Sequence, residues 1–301
     1  MYAWAFPVNE SNPPSLEGSA TDGDVDIAYA LLCAAKKWND NNYKNRAIEI
    51  INALETLIQV PSEWYFLVTG DWTLEELKEN ERLKRITRPS DFALAEFRAF
   101  TSYETNSIWS CVLEDAVSFV SRYQRDYSPN CGLVADWMEW NIQKSLFVEP
   151  DEKFIKDNFG EDDARKYSWN ACRVPFRFAV DALLYNNTRA KETLKPLVDF
   201  MIKQAKTQRY GRITYDVSRI KAGYTMSGSA IVNYDDASFW APVVAAAKVF
   251  ANRNNEYKAF MDACYPKVRD SFDGIPDSYY DDSIALLCLI LLNDLWYNPL
   301  K

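Results

Sequence analysis

Asp22, Asp24 and Asp26 alternate in the run Ser19-Ala-Thr-Asp-Gly-Asp-Val-Asp-Ile-Ala-Tyr29, which leads straight into an apolar helical pattern. Carboxylates so placed can favour the positive end of a helix dipole, ligate a cation, or supply an acid or base at a cavity rim. One or two acids satisfy a dipole; three, with Gly23 between them, exceed that need. Calcium fails on spacing. The run fits the first ligands of an EF-hand loop, but Ile27 stands where the loop needs glycine and Cys33 where it needs glutamate. What remains is a carboxylate held at a helix start.

The rest of the composition narrows the chemistry. The chain has no histidine, which removes Ser-His-Asp and Cys-His nucleophiles and histidine-bound zinc. Its six cysteines (33, 111, 131, 172, 264 and 288) show no CxxC spacing, and three lie inside apolar helical patterns as buried thiols do. Catalysis therefore falls to carboxylates, tyrosines or lysines. A net charge of −9 without a basic run argues against nucleic acid, and an acidic cleft would suit a polycationic glycan. Aromatic residues make up 15%, enough to fill a core and leave rings to stack on sugars. No apolar run is long enough for a membrane span, and Met1-Tyr-Ala-Trp-Ala-Phe lacks the basic start of a signal peptide.

The elements that must position these residues read as helices. Thr21, with Asp24 three residues on, is placed to cap a helix whose core stripe is Ile27, Ala30, Leu31 and Ala34. Tyr43 to Gln59 gives its antiparallel partner. Residues 60 to 89 read as irregular, with a short strand pair around Trp64 to Trp72 and a polar helix from Thr73. Further helices are expected from Pro89 to Phe100, Ile108 to Tyr123, Ala171 to Tyr185, Arg189 to Lys206, Asp235 to Asn252, Glu256 to Lys267 and Tyr279 to Tyr297. Cys131 to Trp140 reads as extended, residues 145 to 168 as a polar, acid-rich insertion, and Tyr210 to Val232 as a polar stretch. About nine helices, mostly in hairpins and apolar on more than one face, point to an all-α closed toroid. No linker divides the chain, so residues 1–301 read as a single domain.

The string Ala20-Thr-Asp-Gly-Asp-Val-Asp-Ile-Ala-Tyr-Ala-Leu-Leu-Cys-Ala-Ala-Lys-Lys-Trp38 resembles the signature of glycoside hydrolase family 8, inverting β-glycanases that include endoglucanases, lichenases, xylanases and chitosanases. Ala171-Cys-Arg-Val-Pro-Phe-Arg177 resembles the family's Ala-x-Arg-x-Pro-Trp-Arg segment, with Phe176 replacing tryptophan. Phe239-Trp-Ala-Pro242 is similar to the start of the penultimate inner helix, and Tyr279 to Leu292 to the closing helix. The resemblance implies an (α/α)6 toroid, secretion, and a polysaccharide substrate such as cellulose or mixed-linkage β-glucan. It implies no cofactor and no metal.

It also implies site residues. Asp22 takes the place of the aspartate that contacts the sugar beside the cleaved bond. Inverting hydrolysis needs two carboxyl groups, roughly 6.5–9.5 Å apart, one as acid and one as base for water. At the base position of many members this chain has Asn170, whose amide cannot take a proton from water. One subgroup, containing chitosanases and lichenases, shares that asparagine and takes its base from an inserted loop carrying an Asn-Phe-Leu-Glu-like string. Asn158-Phe-Gly-Glu161 is similar, which makes Glu161 the candidate base, Asn170 the residue that orients the water, and Arg173 a support for a carboxylate or for the loop. Trp4 matches a sugar-stacking tryptophan and Trp169 the family's tyrosine beside the base; Tyr167, Trp137 and Trp64 are weaker stacking candidates. The family's acid, in a Glu-Gly-x-x-Tyr-Gly-like string well upstream, has no match. Only Glu10 and Glu17 precede Asp22, and Glu17-Gly18 continues Ser-Ala. The expectation is therefore a toroid incomplete at its N-terminal hairpin and lacking its acid, with apolar faces left around Leu286 to Leu292 that invite self-association.

Three readings follow: a β-glucanase with chitosan as rival substrate, a glycan-binding remnant without turnover, and a helical prenyl or terpene synthase. The last would depend on magnesium, and both the polar insertion and the signature argue against it.

Overall fold

Helix α1 (Thr21–Trp38) opens directly from extended Ala20 rather than from a side-chain cap. Thr21 lies inside the helix. Its hydroxyl donates to the Val68 carbonyl at 2.7 Å and its peptide N–H to the Thr69 carbonyl, so the start of α1 is tied down by tertiary bonds instead of a capping box. This computed structural model describes residues 18–72, 80–103, 108–272 and 279–301. The expected polar helix from Thr73 lies largely outside them.

The buried stripe of α1 is Val25, Ala28, Tyr29 and Leu32, while Ile27 is 37% exposed. The period was legible and its phase was not. A helix apolar on two faces has two stripes of equal spacing, and only packing selects between them. Asn39, in the left-handed region, ends α1. Asp40 then accepts from the Asn42 N–H to start α2 (Asn41–Glu55), which packs on α1 as the expected hairpin.

The chain divides into two compact units that interleave in sequence. One holds residues up to Ala116, Met138–Val148 and Tyr297–Lys301; the other holds Val117–Trp137 and Glu149–Trp296. In the first, β1 (Ile58–Gln59) pairs antiparallel with β2 (Phe66–Leu67). The expected helix from Pro89 begins as a 3-10 turn, Pro89–Asp91, and becomes α3 at Leu94–Phe100. Strands β3 (Ile86–Thr87), β4 (Met138–Asn141) and β5 (Leu146–Val148) form an antiparallel sheet, with Glu139 opposite Ile86 and Val148. Phe66, Trp140 and Phe147 close over each other at ring separations of 5.0–6.2 Å. Helix α4 (Ile108–Tyr127) contributes residues to both units.

The second unit is built around its most apolar helix. In the acid-rich insertion Asp151 caps α5 (Glu152–Phe159) by accepting from the Lys153 and Phe154 N–H groups, and Gly160 ends it. This segment is ordered by Ile155, which is buried, and by Phe159 against Trp137. Then come α6 (Val174–Tyr185), α7 (Thr188–Ala205), the hairpin of β6 (Lys206–Arg209) with β7 (Arg212–Tyr215), and α8 (Ala237–Ala251), α9 (Asn255–Arg269) and α10 (Tyr279–Leu292). In α8 Ala241 and Val243 to Ala247 are all fully buried, because small side chains let α6, α9 and α10 approach it closely.

All six cysteines are free, and Cys131, Cys172, Cys264 and Cys288 are buried. Leu286 and Leu287 of α10 are 52% and 37% exposed, which is the apolar exposure expected on that helix. Among the described residues no helix is long and apolar enough to cross a membrane.

Lys248 of α8 donates to the last carbonyls of α10, Leu291 at 3.1 Å and Leu292 at 2.7 Å, and also pairs with exposed Asp294. A cation on helix C-terminal carbonyls satisfies groups with no intrahelical partner. Lys248→Met should therefore lower thermal unfolding stability by about 2 kcal/mol, read as a Tm shift of a few degrees.

Candidate active site

The residues singled out by sequence fall in both units. In the first, Asp22 sits in the opening turn of α1, where its Oδ1 accepts from the Gly23 N–H at 3.0 Å and lies 3.4 Å from the Arg88 guanidinium. Arg88 also donates to Asp91, whose other oxygen accepts from the Ser90 hydroxyl. The Asp22 side chain is 16% exposed, so it keeps a face for a ligand while arginine fixes its direction. Asp24 is buried beneath it and Asp26 points outward. The three aspartates thus divide into a held carboxylate, a core residue and a surface residue.

Glu161, Tyr167, Trp169, Asn170 and Arg173 all belong to the second unit. The segment leading to them is pinned by Asp136, whose peptide N–H donates to the Lys166 carbonyl at 2.8 Å while Trp137 N–H donates to Ala164. The Asp136 carboxylate reaches over the next turn. Its Oδ1 accepts from the Ser168 N–H at 2.9 Å and the Ala171 N–H at 2.7 Å, and its Oδ2 from the Asn170 N–H at 3.2 Å. Burial pushes Asp136 up to about 7, against the pull of those three peptide donors and with a smaller upward push from Glu161. Asp136 belongs to no motif. Its signal in the sequence was a lone acid inside the apolar run Leu133 to Met138, since such a charge is buried only with partners.

Asn170 is buried, and its side-chain oxygen accepts from Arg173 at 3.1 Å. The Arg173 guanidinium thus donates back to the turn that precedes it, to both the carbonyl and the side-chain oxygen of Asn170. With its oxygen engaged, the Asn170 amide has N–H groups left to offer a water. Trp169 is 39% exposed; its ring stands edge-on to Phe239 at 5.1 Å and near Tyr280 at 6.2 Å. The Tyr280 hydroxyl donates to the Trp169 carbonyl at 2.5 Å, which holds the backbone from which this partly exposed indole projects.

Glu161 follows the Gly160 cap and is half-buried. Its acidic neighbours are neutralised, Asp162 by Lys156 at 2.6 Å and Asp163 by Lys166 at 2.5 Å. Glu161 makes no ion pair or hydrogen bond among the described residues, and its charge is felt at Asp136.

Two stacking candidates are corrected. Tyr167 is fully buried, edge-on to Phe239 and with its backbone bonded to Tyr224, so it offers no face to a sugar. Trp137 is 2% exposed beneath Phe159. Both serve the core, as large rings commonly do. Trp64 is half-buried beside Trp140. Trp4, Glu10 and Glu17 lie outside the described residues.

Residues 1–294 match the sequence profile of glycosyl hydrolases family 8. A β-glucanase of Niallia circulans is 28% identical over 303 residues, taking in 99% of this chain and 67% of that protein. Endoglucanase A of Acetivibrio thermocellus is 28% identical over 289 residues, or 95% of this chain and 52% of that protein. The chain thus spans about half to two thirds of the length of such relatives as these. The apo structure of a β-1,3-1,4-glucanase from Paenibacillus sp. X4 superposes with a TM-score of 0.80 at 28% identity, covering 95% of this chain and 70% of that one. The helical hairpins are those of the expected toroid class. A match that begins at residue 1 gives no support to the expected loss of an N-terminal hairpin.

Proposed function

The chain belongs to glycosyl hydrolases family 8, and from that premise we propose that it hydrolyses β-1,4 or mixed β-1,3-1,4 bonds in a β-glucan by inversion. Membership displaces the prenyl-synthase alternative. One observation carries the reading. Glu161 is the acid without an ion pair among the described residues in an otherwise neutralised run, and its charge reaches Asp136, the carboxylate that holds the Asn170 turn.

In this mechanism Glu161 takes the proton from a water as it attacks the anomeric carbon, while the glycosidic C–O bond breaks and its oxygen takes a proton from a second carboxyl group, which is not among the residues placed above. An Asn170 N–H donates to that water and holds a lone pair toward the sugar. Arg173 fixes the amide so that this donor has one direction. Trp169 stacks on a pyranose face. Asp22, held by Arg88, accepts from sugar hydroxyls. Residues 1–301 act as a single catalytic domain, and a polymeric substrate places the protein outside the cell.

The family relatives by name support glucan, and chitosan is the rival substrate. A second reading, glycan binding without cleavage, is kept because no leaving-group acid is identified among the described residues: Asp22 is tied to Arg88, and Glu161 is taken as the base.

Reducing-end release from barley β-glucan, carboxymethyl-cellulose and chitosan tests the proposal, with proton NMR reading the anomer first formed. Release of the α-anomer from a glucan is the expected result. A folded protein that binds glucan but releases nothing would leave the second reading, and turnover on chitosan alone would replace the substrate. Trp169→Ala should weaken glucan affinity roughly tenfold, about 1.4 kcal/mol for a lost stacking plate, as measured by KM or calorimetry.

A further inference from the structure

Three peptide N–H groups of one turn converge on a single buried carboxylate. Asp136 is 2% exposed, and the turn it gathers, residues 168–171, carries both Trp169 and Asn170. We propose that Asp136 is a positioning residue for catalysis, and that its carboxylate must be ionised to hold Asn170 in the working orientation. The inference rests on the proposed catalytic role of Asn170.

The two carboxylate oxygens are not equivalent. Oδ1 accepts two N–H bonds of 2.9 and 2.7 Å, whereas Oδ2 accepts one, from Asn170, at 3.2 Å. A proton arriving at this carboxylate goes to the less engaged Oδ2. The new O–H then faces the Asn170 N–H, donor against donor, and that bond is lost. Ser168 and Ala171 stay attached to Oδ1. Protonation therefore releases the one peptide group that belongs to the water-orienting residue, and leaves the rest of the turn in place.

The groups around Asp136 set where this happens. Glu161 lies beyond α5, Tyr167 and Cys172 flank the turn, and Tyr280 comes from α10; each feels the Asp136 charge or is felt by it. None of these four is a cation that would hold Asp136 ionised to low pH. Burial thus moves the transition up to about 7, within the range where an enzyme works. The absence of histidine makes this transition readable, because the side chain that ordinarily titrates there is missing from the whole chain.

Asp136→Asn reproduces the protonated state in geometry. Its amide oxygen can keep the two bonds of Oδ1, and its NH2 meets the Asn170 N–H as the protonated oxygen would. Two measurements test the proposal. The first needs no activity: the fluorescence of Trp169, taken as the difference between the wild-type protein and Trp169→Phe, followed from about pH 5.5 to 8.5. A one-proton step with its midpoint within about one unit of 7 is expected, and it should be missing from Asp136→Asn. The second is turnover on barley β-glucan. Asp136→Asn should lose roughly ten- to hundredfold in kcat at pH 8 with KM within about threefold, and should lose the acid limb of the kcat profile.

A wild-type Trp169 signal that is flat across this range overturns the proposal, whether or not Asp136→Asn folds. So does an Asp136→Asn protein that keeps the step, the kcat or the acid limb. A clear step in a wild-type protein that releases no sugar would overturn the hydrolase reading and with it the catalytic role of Asp136, leaving only its proton-dependent hold on the turn.

Discussion

Glu161→Gln is expected to lower kcat on barley β-glucan by roughly a hundredfold to ten-thousandfold, the range over which general-base catalysis contributes. The substitution keeps the size and hydrogen-bonding shape of the side chain and removes only its ability to take a proton. KM should stay within a few-fold, because no ground-state contact is lost. The melting temperature should not change, since Glu161 holds no ion pair among the described residues. Asp162→Asn is the matched control. That carboxylate is tied to Lys156 on the surface, where water screens the pair, and its loss should leave kcat unaltered. If both variants retain full turnover, Glu161 is one more acid in a solvated run. Initial rates of reducing-sugar release at saturating substrate separate the two cases.

Gly132→Ala should cost about 3–5 kcal/mol of stability, at the upper end for a single substitution, and lower Tm by roughly 6 °C or more. Gly132 has φ of +63°, where an L side chain is strained by about 1–2 kcal/mol. An added Cβ would also stand 2.5 Å from the Pro196 Cβ and 2.7 Å from the Leu197 nitrogen, in the body of α7. Backbone cannot swing aside as a side-chain tip can, so α7 or the loop must move. The loop is itself pinned: Gln124 donates to the Gly132 carbonyl at 2.6 Å, and the Ser128 hydroxyl accepts from the Leu133 N–H while donating to Met226. Gly211, at the β6–β7 tip, shares a positive φ but has nothing within 4 Å of its Cβ position. Gly211→Ala should therefore cost only the conformational part. Thermal unfolding of both variants divides strain from collision.

The helices were legible because hydrophobic periodicity is a property of the chain, and the hairpins because short Asn-rich connections join them. Asn39 and Asp40 after α1, and Asn186 and Asn187 after α6, each end one helix and cap the next. What periodicity could not supply was phase in a helix apolar on two sides, which is why Ile27 proved exposed and Val25 buried. Order in the 145–168 insertion escaped notice because it depends on a few residues, Ile155 and Phe159, set among many charges. At the site, Asn170 and Arg173 meet because three residues span one turn. Tyr167 was misjudged because a ring that could stack on sugar and a ring that fills a core are the same residue type. Asp136 acts through a turn more than thirty residues away, a relation that no local pattern encodes.

The distribution of thiols has a kinetic use. Four of the six, Cys131, Cys172, Cys264 and Cys288, are buried in the second unit, and burial pushes Cys172 and Cys264 up to about 12. Such sulfurs react with an aromatic disulfide reagent only during moments when the surrounding helices part. Because all six cysteines are free, the labelling rate of each buried thiol follows the frequency of local openings around it. Cys172 reports on the segment beneath Trp169, and Cys264 on α9. Comparing their rates with and without bound glucan would map how far ligand tightening spreads within the second unit from the turn that carries Trp169.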